Sequence, residues 1–414
     1  MSAPSWPEMA RVFGRIGLLS FGGPAAQIAL MHRELVETRD WLSEQSYLRA
    51  LSLCMLLPGP EAMQLATYAG WRLRGTAGGL LAGLFFVIPG AIIIALLAVL
   101  YASYGQLPLV QAAFLGIKAA VIIIVFQALR KVAGKALIAT QGWLLAALSF
   151  LALFVIGVPF PLIIIAAGLW GMQSASASAS PVAPEKGGAR PVRVIATWAT
   201  LWAAPLVLVW ALDQTFLLQL GLFFSNLAVV TFGGAYAVLG YMTQTVVSDL
   251  GWITTQQMID ALGLAETTPG PLILVTEFVA LLAGFAQSGA SGAFAAGLLA
   301  LWVTFTPCFL WIFLAGPYLE RISAQPRLAA ALQAITAAVV GVIANLTIWF
   351  ALHVLFGRVS PSGLLAMPLP DWSSFDPIAA SLTVFAALLM LAGRIGMVPT
   401  MAILAATALG IGMI

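Results

Sequence analysis

Four places in this chain set glycine and proline inside long apolar stretches. They are Ser20-Phe21-Gly22-Gly23-Pro24, Pro58-Gly59-Pro60, Thr231-Phe232-Gly233-Gly234 and Thr267-Thr268-Pro269-Gly270-Pro271. Glycine takes backbone conformations that other residues avoid, and proline removes a hydrogen-bond donor, so each place should interrupt a helix. A helix that restarts after such a break offers unpaired N–H groups and the positive end of its dipole, and both favour an anion. Gln27 and Gln64 follow the first two breaks, and Ser20, Thr231, Thr267 and Thr268 put hydroxyls at hand. The chemistry this suggests is the holding of a small oxyanion by N–H and O–H donors. Glycine and proline also serve close helix packing and kinking, and the residue types alone leave that reading open.

The ionisable groups inside apolar runs are few. Lys118 lies within the apolar span 107–129. A lysine at membrane depth costs about 2.5–3.5 kcal/mol on insertion scales, so it should face a cavity or a partner. Two roles suit it: attracting the anion, or pairing with Glu61. Glu61, Glu266 and Glu277 are the carboxylates in comparable positions. A proton-coupled carrier needs a titratable group, which makes these three the candidates for proton coupling; each also suits a satisfied cap or an interfacial residue.

Behind these residues stands a duplication. Ser20/Thr231, Gly22/Gly233, Gly23/Gly234, Pro58/Pro269, Gly59/Gly270 and Pro60/Pro271 are all 211 residues apart. Phe13/Phe224, Trp41/Trp252, Gln45/Gln256 and Leu53/Leu264 share that spacing without a gap. Beyond the second break the spacing grows to 218 (Pro89/Pro307) and later to 240 (Pro159/Pro399), as loop insertions would produce. Interrupted apolar segments in corresponding places of two halves are the sequence mark of a transporter binding site.

The duplication sets the expected organisation. Residues 1–172 form a first membrane repeat and 213–414 a second. The Ser-Ala, proline and glycine stretch at 173–193 cannot bury a face and reads as a flexible cytoplasmic linker. Residues 194–212 read as one connecting transmembrane helix. Lys and Arg mark cytoplasmic loops. In the first half Arg33, Arg39, Arg49, Arg72, Arg74, Arg130, Lys131 and Lys135 fall on or beside loops whose second-half counterparts carry Asp249 and Asp260, whereas Arg321, Arg327 and Arg394 occupy the opposite set. The halves therefore should face opposite ways, and the odd helix at 194–212 supplies the needed change of side. The same charges put Arg33, Arg39, Arg72 and Arg74 on one side, so the broken segments should enter and return without crossing, though a single passage stays open.

Of the 414 residues 62% are hydrophobic and only 8% charged, against about 25% charged in soluble domains. The fold class expected is an all-α polytopic membrane protein of two homologous halves in inverted topology, with interrupted helices. The net charge of +3 comes without a basic cluster interleaved with aromatics, which excludes a nucleic-acid surface. Cys54 and Cys308 sit in apolar runs and read as small hydrophobes. Neither a metal-ligand set nor a P-loop or dinucleotide fingerprint is present, so neither cofactor nor metal is expected. With two histidines and so few carboxylates, an enzyme is disfavoured.

Phe13-Gly14-Arg15-Ile16-Gly17-Leu18-Leu19-Ser20-Phe21-Gly22-Gly23-Pro24, Trp41 and Leu57-Pro58-Gly59-Pro60, with their second-half counterparts, resemble the chromate transporter family in its long two-domain bacterial form. The resemblance covers essentially the whole chain. It implies a multi-pass carrier of the bacterial inner membrane that exports chromate, driven by the proton-motive force. Sulfate or another oxyanion as substrate, an anion channel and homo-oligomerisation remain open. The halves depart from each other in Ala235 for Pro24 and Leu272 for Glu61, so they need not contribute equally.

Overall fold

The computed structural model describes residues 4–174, 191–232, 235–319, 325–361 and 367–412. Most of the proposed linker (175–190), both glycines Gly233 and Gly234, and the charge at Arg321 fall outside the described residues. Helices dominate. They are α1 (Trp6–Leu19), α2 (Gly23–His32), α3 (Glu44–Leu56), α4 (Glu61–Tyr104), α5 (Pro108–Ala136), α6 (Thr140–Leu151), α7 (Phe160–Ser174) and α8 (Pro191–Ala211). The second half continues with α9 (Thr215–Val230), α10 (Ala235–Thr243), α11 (Thr255–Thr267), α12 (Val275–Ala315), α13 (Pro326–Leu355), α14 (Pro377–Ala387) and α15 (Met397–Gly412). Short antiparallel strands β1 (Val359–Pro361) and β2 (Pro368–Pro370) follow α13. The chain is an all-α polytopic membrane protein built from two homologous halves.

The breaks fall where glycine and proline forecast them. α1 ends at Ser20, and α2 starts behind Gly22, whose φ of +86° only glycine takes freely. α3 stops at Leu56 ahead of Pro58, and α11 stops at Thr267 ahead of Pro269. At 14, 10 and 13 residues, α1, α2 and α3 fall short of the roughly 20 residues that cross a bilayer core.

The Glu61–Tyr104 element is a hairpin. Its backbone leaves helical geometry at Arg74 and Gly75. A Cβ on Gly70 would lie 2.2 Å from the Gly78 carbonyl oxygen, and one on Gly83 would lie 2.5 Å from the Thr67 hydroxyl. Residues 67 and 83 of a straight helix would be about 24 Å apart. Arms 61–73 and 76–104 therefore run antiparallel in contact, and only the second is long enough to cross. The second half repeats this at Ser288 and Gly289, where a Cβ on Gly284 would lie 2.3 Å from the Gly292 carbonyl oxygen. Single π-helical turns also recur at matching places, Arg33–Glu37 with Gln244–Asp249 and Ala152–Ile156 with Leu388–Ala392. The duplication thus extends to backbone irregularities.

The chain divides into two compact units, and each half contributes to both. The first unit comprises Met1–Ala98, Ala175–Ala235 and Ala265–Ala329. In it α12 packs on α8 and α9, with the Trp302 indole donating to the Leu201 carbonyl at 2.8 Å and Trp198 stacked on Phe309. The second unit comprises Val99–Ser174, Tyr236–Leu264 and Ala330–Ile414. There α5 packs on α14 and α15, and small residues let backbones approach. A Cβ on Gly116 would lie 2.2 Å from the Leu404 carbonyl oxygen, and one on Gly341 the same distance from that of Ala146. The apolar stretch after Lys135 is two short helices, α6 and α7, turning at Gly157–Pro159 as its prolines suggested.

Candidate functional site

Within the first unit the four breaks meet, and they meet across the duplication. The Gly59 N–H donates to the Thr231 carbonyl at 2.8 Å. The equivalent pair, Gly270 and Ser20, forms the same bond at 3.0 Å. Each Pro-Gly-Pro turn is thereby tied to the end of the helix preceding the other half's Phe-Gly-Gly break. The reciprocity extends to the crossing arms. A Cβ on Gly59 would lie 2.9 Å from the Cys308 sulfur, beside Pro307. A Cβ on Gly90, beside Pro89, would lie 2.3 Å from the Pro269 carbonyl oxygen. A two-fold relation between the broken segments requires such exchanged contacts.

Two buried glutamines stitch the turns. Gln27 Nε2 donates to the Gly270 carbonyl at 2.7 Å and to that of Ser20 at 3.1 Å. Gln64 Nε2 donates to the Pro58 carbonyl at 2.6 Å. The carbonyl oxygens of both glutamine side chains are buried without a hydrogen-bond partner among the described residues. Neither glutamine is duplicated, because Val238 and Val275 stand at the matching positions.

The hydroxyls do something other than expected. Ser20 donates to the Ile16 carbonyl at 2.5 Å, Thr231 to that of Leu227 at 2.6 Å and Thr268 to that of Ala265 at 3.1 Å. Each satisfies an otherwise unpaired carbonyl at its own helix end, so in this conformation these protons are committed to the backbone. Donors for an anion must instead come from helix N-termini. The first turn of α2 has no side-chain cap, and Phe21, Gly22, Ala25 and Ala26 around it are exposed. The Pro58–Pro60 turn is partly exposed, whereas Pro269, Gly270 and Pro271 are fully buried. The two Pro-Gly-Pro turns are therefore unequally exposed.

The carboxylates separate. Glu61 opens the short arm of α4 and is half-buried. Glu266 is buried near the end of α11. Glu277 is 3% exposed in the first turn of α12, and its Oε2 has no hydrogen-bond partner. Arg39, one of the loop charges, is bound to the buried Glu34 carboxylate.

Lys118 has a partner, as a buried lysine requires, but the partner differs from the one expected. It belongs to the second unit, and its ammonium lies 3.1 Å from Oδ1 of Asp260, so it does not pair with Glu61. Asp260, read as a loop charge, has no exposed surface and sits inside α11. Its Oδ2 accepts from the Tyr101 hydroxyl at 2.7 Å. A usable signal lay in the apolar flanks Met258-Ile259 and Ala261-Leu262, which bury an aspartate set between them.

The second unit also holds a cavity of about 380 Å³ lined by Thr243, Gln244, Ser248, Asn345, Trp349 and His353, among others. No break residue lines it. Its lining carries no Asp, Glu, Lys or Arg. The breaks are the stronger candidate, since unpaired backbone at membrane depth must line a cavity or be buried in protein. Among the described residues no group of His, Cys, Asp and Glu could hold a metal ion.

Comparison with known proteins agrees with this architecture. The probable chromate transport protein of Synechococcus elongatus is 32% identical over 83% of this chain and 84% of its own. The chromate transport protein of Cupriavidus metallidurans is 31% identical over 88% of each. That of Pseudomonas aeruginosa is 34% identical over 83% of this chain and 80% of its own. No solved structure matches the chain significantly. The chromate transporter pattern matches residues 7–172 and 218–411, one stretch in each half, each holding its own pair of breaks; the chain belongs to the chromate transporter family.

Proposed function

We propose that this protein is a secondary active transporter that exports chromate across the bacterial inner membrane, driven by the proton-motive force. The observation that carries the reading is the reciprocal bonding of Gly59 to Thr231 and Gly270 to Ser20, which gathers the helix breaks of both halves. The names of its relatives supply the substrate. Chromate is a tetrahedral dianion, and uncapped helix N-termini such as that of α2 suit such a charge without any lysine or arginine at the site. Sulfate has the same shape and charge and should compete. The connecting helix α8 gives the second half its change of side, and the side of each half follows from the arginine and lysine loops.

The test is chromate uptake into inverted vesicles containing the protein, with and without a proton gradient and with excess sulfate. Gradient-dependent accumulation that sulfate inhibits is expected. Equal uptake with and without the gradient would remove the coupling, and no uptake by inserted, folded protein would remove chromate as the substrate.

A further inference from the structure

The second unit contains a buried cluster that the transport site does not use. Asp260 of α11 faces Lys118 of α5 and Tyr101 in the last turns of α4. The carboxylate is fully buried, and the lysine and tyrosine are 5% and 6% exposed. Three helices thus converge on one aspartate. Oδ2 holds a hydrogen bond from Tyr101, while Oδ1 has the lysine charge at 3.1 Å but no well-formed hydrogen bond. One lone pair of Oδ1 therefore remains open to a proton. Among the described residues Lys118 is the one charge within salt-bridge distance of Asp260. Helices α14 and α15, which pack on α5, carry no titratable side chain, and the next carboxylate along α11 is Glu266.

Building on the proton-driven reading above, we infer that Asp260 carries the coupling proton, exchanging its ion pair with Lys118 for a proton during each transport cycle. The charge logic is direct. With Asp260 ionised the cluster is neutral, and α11 is tied to α5. With Asp260 protonated the cluster carries a net positive charge and the tie is released. Only six residues of α11 separate Asp260 from Thr267, where the Thr267–Pro271 break begins. Protonation is thereby linked to the freedom of a helix that ends at a break. If bound chromate lets the loaded carrier move whatever the state of the pair, while the empty carrier returns only when a proton on Asp260 has released the tie, a proton enters as the carrier returns from delivering chromate. Glu277 is equally buried, but it lacks an ion-pair partner among the described residues whose release a proton could trigger. Ionisable residues in membrane segments are costly, and proton relays are among the functions that retain them.

A structural ion pair would also be buried, so the test separates coupling from folding. Reconstituted protein is assayed for exchange of radiolabelled chromate against chromate, which needs no proton, and for accumulation driven by a proton gradient. Asp260→Asn should keep exchange within about twofold of the parent while gradient-driven accumulation falls by about tenfold or more. Removing one member of a buried pair can unfold a protein. The double variant Lys118→Gln/Asp260→Asn removes both charges, and it should show the same split. Gradient-driven accumulation at the parental level in either folded variant would overturn the assignment. Loss of exchange and accumulation together in the folded double variant would also overturn it, in favour of a structural pair. A parent protein that exchanges chromate but ignores the gradient would overturn the coupling reading itself, and the assignment with it.

Discussion

The backbone N–H of Gly59 donates to the carbonyl of Thr231 at 2.8 Å, joining two residues from different halves of a duplicated sequence. Its counterpart joins Gly270 to Ser20. Both glycines have positive φ, +116° at Gly59 and +93° at Gly270. A Cβ at Gly59 would also meet the Cys308 sulfur at 2.9 Å and the Gln64 amide at 3.0 Å. Strain of about 1–3 kcal/mol is expected for a substituted residue in such a conformation. Gly59→Val and Gly270→Val should each lower chromate transport by about tenfold or more, since 1.4 kcal/mol is a factor of ten. Protein content of the membrane should stay near the parental level. Parental transport rates in both variants would dissociate these turns from the substrate site.

Gln27 makes a different prediction, because it bonds two breaks at once. Gln27→Leu leaves the Ser20 carbonyl with its bond from Gly270 but strips the Gly270 carbonyl of its bond from the glutamine amide. An unsatisfied buried acceptor costs about 1–3 kcal/mol. The melting temperature in detergent should drop, and Gln27→Glu should not restore it because a carboxylate cannot donate to carbonyls. Unchanged melting of Gln27→Leu would show that the bridge contributes nothing to stability.

The hairpin turns allow backbone and steric effects to be told apart. Gly75 has φ +62° and ψ −159°, and Gly289 has φ +64° and ψ −147°. Neither has an atom within 4 Å of an added Cβ. Gly75→Ala and Gly289→Ala should therefore destabilise through the backbone alone, by about 1–3 kcal/mol each. Gly70→Ala and Gly284→Ala would drive a Cβ to within 2.2 Å and 2.3 Å of a carbonyl oxygen, and should separate the arms. Thermal unfolding of the four variants should rank the second pair as the more damaging. The reverse order would contradict close packing of the arms.

The inverted arrangement predicts labelling from opposite faces. Thr38 and Asp249 are equivalent by the 211-residue spacing, and both are exposed. Thr38→Cys should react with a membrane-impermeant thiol reagent only from the cytoplasm, and Asp249→Cys only from outside. The native Cys54 and Cys308 are buried and give little background. Labelling of both positions from one side would mean that the halves run parallel.

Features set by local chemistry were legible in the order of residues. Glycine and proline stop helices through their own stereochemistry, so α1, α3 and α11 end where those residues forecast. The ungapped spacing of Ser20/Thr231 and Gly59/Gly270 declared the duplication, because ancestry is written in order along the chain. Arg72 and Arg74 also marked the turn of the α4 hairpin, since charges avoid lipid. Every pairing between distant positions came from the packing of the folded chain. The exchange of Gly59 to Thr231 and Gly270 to Ser20 has no local signature, because one partner's N–H carries no label for a carbonyl in the other half. The hydroxyls of Ser20, Thr231 and Thr268 looked free to bind a substrate and instead close their own helix ends. Asp260 looked like a loop charge beside Gln256 and Gln257, and Lys118 looked like a partner for Glu61. Burial decides both, and burial depends on which helices pack together. An aspartate is tolerated at full burial only where a lysine and a tyrosine arrive from elsewhere in the chain to satisfy it.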